Sequence, residues 1–173
     1  MRDILDRGLA CSQLRPIDVH GARFVAKLAG ESSPELLLGA ALASRAVGDG
    51  HICLPLEKVA GRRVFPGETS CTAPDLATWR QRLLASGAVG EPGGDQPLIL
   101  DGRQRLYLAR YYRYEQIIAG DLARRSCLMP PAEGDKTAGL LSRMFPDSKA
   151  EDRQKTAAAV AALNRFVAVT GGP

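Results

Sequence analysis

The chain ends in FVAVTGGP (166–173), which has the composition of a strand leading into a phosphate-binding loop. Such a loop needs glycines so that backbone N–H groups converge on phosphate oxygens. It then needs a lysine for the outer phosphates and a Ser or Thr for magnesium. Gly171, Gly172 and Pro173 supply only the front of that loop. We expect a chain cut within the loop, ahead of a nucleoside-triphosphatase core. Taken alone, a terminal Gly-Gly-Pro is also typical of a flexible tail.

Arginines surround the four tyrosines of the chain, and this is a second arrangement with chemical potential. Basic residues contact phosphates and aromatic rings stack on bases, so single-stranded nucleic acid is one candidate ligand. Tyr and Arg are also favoured anchors of protein interfaces. Tyr111 and Tyr114 have helical spacing and are expected in the core. Asp101, Glu115 and Asp121 offset half of the charge of the six arginines in this segment, which are Arg103, Arg105, Arg110, Arg113, Arg124 and Arg125. The candidate surface residues are Arg103, Arg105, Arg110, Arg113 and Tyr112.

Metal and nucleophile chemistry is not expected from the cysteines and histidines. The four cysteines show no CxxC spacing, and neither histidine has a nucleophile and an orienting acid at motif spacing. No zinc site is therefore predicted. The cysteines are interpreted as reduced, mostly buried thiols of a cytosolic protein, namely Cys11, Cys53, Cys71 and Cys127.

The composition is that of an ordinary soluble protein, with 173 residues, 45% hydrophobic and 24% charged. A chain of this length buries roughly 70% of its unfolded surface and needs no disulfide or metal to fold. No apolar run approaches the roughly 18 residues of a membrane span, so no membrane partner is expected. The net charge of +4 tolerates an anionic partner without requiring one.

Hydrophobic spacing and capping residues predict three helices in the first half of the chain. The first runs over 16–30. The second, 34–47, has Ser33 as its cap and is apolar nearly all round, so it is expected at the centre of the core. The third covers 76–86. The inner face of the first helix is predicted to carry Ile17, Phe24, Val25 and Leu28.

A β-hairpin is predicted at 97–108, where two apolar runs flank Asp101-Gly102-Arg103-Gln104. A lone strand at 51–54 is expected to pair with the hairpin, and a short helix is predicted at 55–60. This order of elements is typical of a winged helix. The predicted fold class is therefore α+β and mostly helical, with a winged-helix-like domain around a three-stranded sheet.

The chain is predicted to divide into two parts. Residues 1–125 are interpreted as a helical, winged-helix-like domain, to which the family resemblance given below implies an assembly role. Residues 126–136, which contain two prolines and a glycine, are interpreted as a linker. Residues 137–173 are expected to hold helices and the terminal strand Phe166–Thr170, which belong to the next domain.

The sequence resembles the N-terminal region of the RecD family, the alpha subunits of bacterial exodeoxyribonuclease V (RecBCD). The resemblance extends over nearly the whole chain in the family's order. The matching segments are LRPIDV (14–19), GDGHICLPL (48–56), LLAS (83–86), LYLAR (106–110), MFP (144–146) and the stretch from Gln154 to Pro173.

This resemblance implies an ATP-dependent superfamily 1 helicase that moves 5′ to 3′ on single-stranded DNA, with ATP and Mg²⁺ as cofactors of the full-length protein. It implies that residues 137–173 begin a RecA-like ATPase domain, here truncated, in which GGP continues as Gly-Thr-Gly-Lys-Thr. Gln154 resembles the family's glutamine that reads the adenine base, a task that suits a carboxamide because it both donates and accepts hydrogen bonds. Without the loop lysine and threonine, this chain alone is not expected to hydrolyse ATP.

The resemblance also implies partners: RecC-like and RecB-like subunits on which the N-terminal region docks, and DNA bound by the full-length protein. The assembly is expected in the bacterial cytoplasm, in double-strand-break repair by homologous recombination. The alternative is a free-standing winged-helix regulator that reads duplex DNA with helix 76–86. The mild net charge counts against it, because duplex affinity comes largely from phosphate neutralisation.

Overall fold

The computed structural model describes residues 3–65, 71–126, 134–146 and 152–170. The chain forms two compact units, 1–115 and 116–173, and one long helix begins in the first unit and ends in the second. Cys127 and most of the expected linker (127–133) lie outside the described residues.

Helix boundaries follow local signals of the sequence. Pro16 stands at the first position of its helix, where a missing N–H costs nothing, and Gly30 ends that helix with a φ of 66°. Asp75 caps another helix by accepting a hydrogen bond from Thr78 N at 3.0 Å. Ser33 is the N-cap residue of α3, as predicted, although its hydroxyl makes no capping hydrogen bond to the described residues. The elements are α1 Ile4–Ala10, α2 Pro16–Ala29, α3 Pro34–Gly48, β1 Leu54–Pro55, a 3₁₀ turn Leu56–Lys58, α4 Leu76–Ala85, β2 Val89–Gly90, β3 Leu98–Leu100, β4 Arg105–Leu108, α5 Ala109–Ser126, α6 Gly134–Met144 and α7 Arg153–Leu163.

Four short strands form one mixed sheet in the order β1-β4-β3-β2. The predicted hairpin is confirmed, since β3 and β4 are antiparallel with Ile99 opposite Tyr107. The lone strand also pairs antiparallel with the hairpin, although it lies at Leu54–Pro55 rather than at 51–54.

The predicted three-stranded sheet is wrong by one strand. β2 follows α4 and pairs in parallel with β3. Two residues, one of them a glycine, are too short for an alternating pattern to reveal. The helix predicted at 55–60 shrinks to a single 3₁₀ turn. The α+β class is confirmed, whereas the strand count and the middle helix depart from a winged helix.

Helix α3 forms the centre of the first unit, as its apolar sequence predicts. Leu36 and Leu38 are almost completely buried, and α3 packs against α1, α2, α4 and β4. Trp79 of α4 is completely buried beside it. The indole N–H of Trp79 donates to the carbonyl of Glu35 at 3.0 Å, so the one polar atom of the ring is satisfied.

A buried carboxylate, Asp18, ties the start of α2 to α3. Its oxygens accept hydrogen bonds from Arg15 N (2.9 Å), Arg15 Nε (2.9 Å) and Arg15 Nη2 (2.7 Å). The Ser44 hydroxyl of α3 donates to Asp18 Oδ1 at 2.7 Å, and Arg15 Nη2 also donates to the Ser44 carbonyl at 3.1 Å. The side chain of Asp18 is completely buried, so these contacts replace all of its water.

The electrostatics of Asp18 follow from these contacts. Burial raises the pKa of the Asp18 carboxyl, but the hydrogen bonds from Arg15 and Ser44 outweigh burial and hold its pKa below the ordinary value. The carboxyl is therefore ionised in the folded protein, and the ion pair contributes to folding at neutral pH.

The inner face predicted for α2 is wrong at three of its four residues, because only Val25 packs against the core. Ile17, Phe24 and Leu28 are 64%, 61% and 61% exposed. The buried Asp18 carboxylate sets the rotation of the helix, because the positions four and eight residues later share its face. Those positions carry alanine, which sequence periodicity does not register as strongly as a large side chain. The buried positions of α2 are Asp18, Val19, Ala22 and Ala26.

The second unit contains α6 and α7, which pack against each other. Asp152 caps α7 by accepting hydrogen bonds from Gln154 N (2.9 Å) and Lys155 N (3.1 Å). The predicted strand Phe166–Thr170 is wrong, since 164–170 pair with no strand among the described residues and Phe166 is 44% exposed. A parallel strand needs a neighbouring strand, and the described part of this unit holds only helices.

We predict that Asp18→Asn lowers the free energy of unfolding by about 2–3 kcal/mol, because it removes a buried charge partner while leaving Arg15 partly hydrated. Asp6→Asn is the matched control. Asp6 pairs with Arg23 at 2.8 Å but is half exposed, so its loss costs less than about 1 kcal/mol. Urea denaturation followed by circular dichroism measures both values.

The pH dependence of stability in wild type and Asp18→Asn gives a second test of the buried ion pair. A folded-state pKa below the unfolded value contributes stability that is present above the unfolded pKa of about 3.9 and lost as pH falls through the folded pKa. The stability difference between wild type and Asp18→Asn is therefore constant near neutral pH and shrinks below about pH 4. A difference that grows on acidification contradicts the buried ion pair.

Candidate functional site

The predicted basic and aromatic residues lie on the β3–β4 hairpin and the first turns of α5. Asp101 organises the hairpin turn, because its Oδ1 accepts hydrogen bonds from Arg103 N (2.9 Å) and Arg105 N (3.0 Å). The Arg105 guanidinium forms an ion pair with the same carboxylate, with Nε 2.7 Å and Nη2 2.6 Å from Oδ2. The charge of Arg105 is therefore neutralised within the hairpin.

Tyr107 of β4 is completely buried and connects the hairpin to α5. The Cζ atom of Arg105 lies 5.5 Å from the centre of its ring. Tyr112 of α5 meets the ring edge-on, with ring centres 5.2 Å apart. Tyr112 is thus half-buried by packing and offers only part of its ring to a ligand.

The buried groups around Tyr107 are not activated for catalysis. Burial raises the pKa of the Tyr107 hydroxyl, and the Glu115 carboxylate of α5 raises it further. Burial also raises the pKa of the Cys53 thiol. Both groups stay protonated at neutral pH, whereas a nucleophile or base needs a lowered pKa or an adjacent base.

Most of the outer arginines of this segment are paired. Arg113 lies 3.4 Å from Asp95 in the loop before β3. Arg124 and Arg125 lie 2.5 Å and 2.6 Å from Asp121. Sequence reasoning missed Asp95, because eighteen residues separate it from Arg113 and only the fold brings them together.

Arg103 and Arg110 differ from the others. Both are exposed, and the described part of the chain supplies neither with an acidic partner. They lie at opposite ends of β4, whose four residues span about 10 Å, so the two free charges do not form one patch. Tyr114, expected in the core, is 54% exposed, so that expectation is wrong. The arrangement suits the rim of a protein interface better than a phosphate track.

The nucleotide-binding residues suggested by the sequence fall in the second unit. Gln154 stands in the first turn of α7 and is exposed, with its backbone N–H held by the Asp152 cap. Its side-chain amide is therefore accessible to a ligand. Gly171, Gly172 and Pro173 lie outside the described residues.

Within the described ranges, no three His, Cys, Asp or Glu side chains come together as metal ligands do. Among the helices that the structure describes, none is long and apolar enough to cross a bilayer.

We predict that Arg105→Ala lowers the free energy of unfolding by about 1–2 kcal/mol, since it breaks a short ion pair and uncovers Tyr107. Arg113→Ala is the matched control, because it removes a longer ion pair with a fully exposed carboxylate, so its loss of stability is much smaller. Urea denaturation measures both. Equal losses for the two variants contradict a structural role for Arg105.

Comparison with known proteins gives the family. Residues 10–107, more than half of the chain, match the family described as RecBCD enzyme subunit RecD, N-terminal domain. This range runs from the end of α1 to β4 and includes Arg15, Asp18 and Ser44.

Curated relatives agree over a longer range. A RecBCD enzyme subunit RecD of Mycolicibacterium smegmatis is 32% identical over 92% of this chain and 26% of its own length. That of Mycobacterium tuberculosis (strain CDC 1551 / Oshkosh) is 35% identical over 90% of this chain and 25% of its own length. The chain thus spans about a quarter of the length of these relatives. It belongs to the RecD family, and residues 10–107 are its RecD N-terminal domain.

Proposed function

We propose that this chain is the N-terminal, subunit-docking portion of an ATP-dependent 5′–3′ DNA helicase subunit. The parent assembly is a RecBCD-type helicase/nuclease that acts in double-strand-break repair in the bacterial cytoplasm. The observation that carries the proposal is the match of residues 10–107 to the RecD N-terminal domain, together with relatives named as subunits of the RecBCD enzyme.

The surface of α2 supports a docking role for the first unit. Ile17, Phe24 and Leu28 each expose more than half of their area, and their spacing places them along one side of the helix. Large apolar side chains grouped on a surface mark an interaction site. We propose that RecC-like and RecB-like subunits cover this outer face of α2.

The charge distribution favours docking over DNA binding by the hairpin and α5. Four of the six arginines there are ion-paired, and the remaining two, Arg103 and Arg110, are separated by β4. Weak, scattered positive charge contributes little to phosphate binding. We propose that Arg103, Arg110 and Tyr112 lie at the rim of a subunit contact. A free-standing DNA-binding regulator is not favoured, because the family match names a subunit of an enzyme complex.

We propose that the second unit leads into the nucleotide site of the longer protein. There Gly171, Gly172 and Pro173 begin the phosphate-binding loop, which takes ATP and Mg²⁺. Gln154 contacts the base, because its carboxamide is exposed and both donates and accepts hydrogen bonds. The DNA substrate is bound by that longer protein.

We predict that Ile17→Ser weakens co-purification of the chain with RecB and RecC subunits by about tenfold, since it removes an apolar anchor from the interface. Ile117→Ser on α5 is the matched control, with 67% exposure against 64%. Affinity purification with tagged RecC measures the retained fraction, and thermal unfolding confirms that both variants fold.

Three outcomes of that experiment contradict parts of the proposal. Failure of the wild-type chain to co-purify with RecB and RecC removes the docking role. Loss of binding in Ile117→Ser alone moves the docking face to α5. Tight duplex binding that weakens steeply with salt favours the regulator instead.

In a full-length RecD that carries this region, we predict that Gln154→Ala raises the KM for ATP about tenfold, because the adenine base loses a side chain that both donates and accepts hydrogen bonds. Gln154→Glu keeps the size of the side chain but removes the amide donor, so we expect it to raise the KM for ATP as well. Hydrolysis of GTP is the internal control. An unchanged KM for ATP contradicts a contact between Gln154 and the base.

A further inference from the structure

A second surface of the first unit is unused by the function proposed above. An open cavity of about 400 Å³ lies between the C-terminal end of α3, the 3₁₀ turn and the segment 61–64. Its floor is apolar and includes Leu42, Leu54 and Val59. Leu42 and Leu54 are buried core residues and Val59 packs against the same core, so the apolar floor is part of the core of the first unit.

The rim of the cavity is strongly basic. It carries Arg45, Lys58, Arg62 and Arg63, against the single carboxylate of Asp49. Asp49 lies 3.5 Å from Arg45, so this pair is largely neutral. The described part of the chain supplies no acidic partner for the other three rim cations. Three positive charges therefore surround one apolar depression.

The backbone holds the basic rim in place. Gly61 N donates to the Pro74 carbonyl at 2.9 Å, and Ala73 N donates to the Arg62 carbonyl at 2.9 Å. Val64 N donates to the Cys71 carbonyl at 2.9 Å. These hydrogen bonds join main-chain atoms only. The guanidinium groups of Arg62 and Arg63 are therefore not required for the conformation of this segment.

We propose that this cavity binds an acidic segment of a partner protein, in which one apolar side chain enters the floor and flanking carboxylates meet Lys58, Arg62 and Arg63. The inference rests on the docking role proposed above and locates a second contact of the same partner subunits. Arginine suits it because its planar guanidinium binds a carboxylate through two parallel hydrogen bonds.

A nucleic acid fits this cavity less well. Single strands are held by a basic groove that carries aromatic rings for base stacking. Among the described residues that line the cavity there is no Phe, Tyr or Trp, and its apolar lining is aliphatic. An aliphatic floor with a charged rim matches the usual anatomy of a protein interface, with an apolar centre inside a polar border.

The test uses the 173-residue chain, immobilised, and a purified RecB–RecC pair in solution. We expect Lys58→Glu and Arg62→Glu each to weaken binding about tenfold or more, because each places a like charge against the partner's carboxylates. Arg82→Glu is the matched control, since Arg82 is exposed on α4, away from the cavity, and is expected to change binding less than about twofold. Thermal unfolding checks that all three variants fold.

The outcomes separate this proposal from the docking role itself. If wild type binds RecB–RecC and the Lys58 and Arg62 variants bind equally well, the cavity assignment is overturned while docking stands. If wild type does not bind, both fall. A fluorescent single-stranded 20-mer is the competing probe, and its binding to wild type with loss in Arg62→Glu also overturns the proposal in favour of a nucleic-acid site. If Val59→Thr binds RecB–RecC as tightly as wild type, the proposed entry of an apolar side chain into the floor of the cavity is overturned.

Discussion

The buried carboxylate of Asp18 is the interaction on which the arrangement of the first unit depends. It accepts hydrogen bonds from the backbone and side chain of Arg15 at the start of α2 and from the hydroxyl of Ser44 in α3. The guanidinium in turn lies against Gly48, where an added Cβ would be only 1.8 Å from Arg15 Nη1. An unpaired charge in this position is strongly destabilising, so all partners are required together. The segment LRPIDV (14–19), on which part of the family resemblance rests, thus supplies both Arg15 and Asp18 of this buried ion pair.

The same constraint produces the exposed face of α2. With Asp18 inside, the positions that follow on its face are Ala22 and Ala26, and small side chains allow α2 to approach α3 closely. Phe24 and Leu28 are then turned outward by the geometry of the helix. Burial of a charge and exposure of large apolar groups are therefore two consequences of one helix rotation.

The sequence predicted those elements whose signals are local. Pro16 and Gly30 bound α2, and Asp101-Gly102 marks the hairpin turn, because each acts on the backbone of its own neighbours. Features decided by distant residues were missed. The strand β2 exists only because β3 passes beside it, and the rotation of α2 depends on Ser44, 26 residues from Asp18.

The candidate site shows the same division between local and distant determinants. Basic and aromatic residues around the hairpin were visible as a composition, but Asp95 and Asp101 neutralise much of that charge once the chain folds. Lys58, Arg62 and Arg63 form no comparable pattern with aromatic residues, yet they surround one cavity. Among the described residues, ion pairs leave only Arg103 and Arg110 unpaired in the hairpin and α5, whereas Lys58, Arg62 and Arg63 stay unpaired around the cavity. The positions of unpaired charge are therefore set by the fold and not by the density of arginine along the chain.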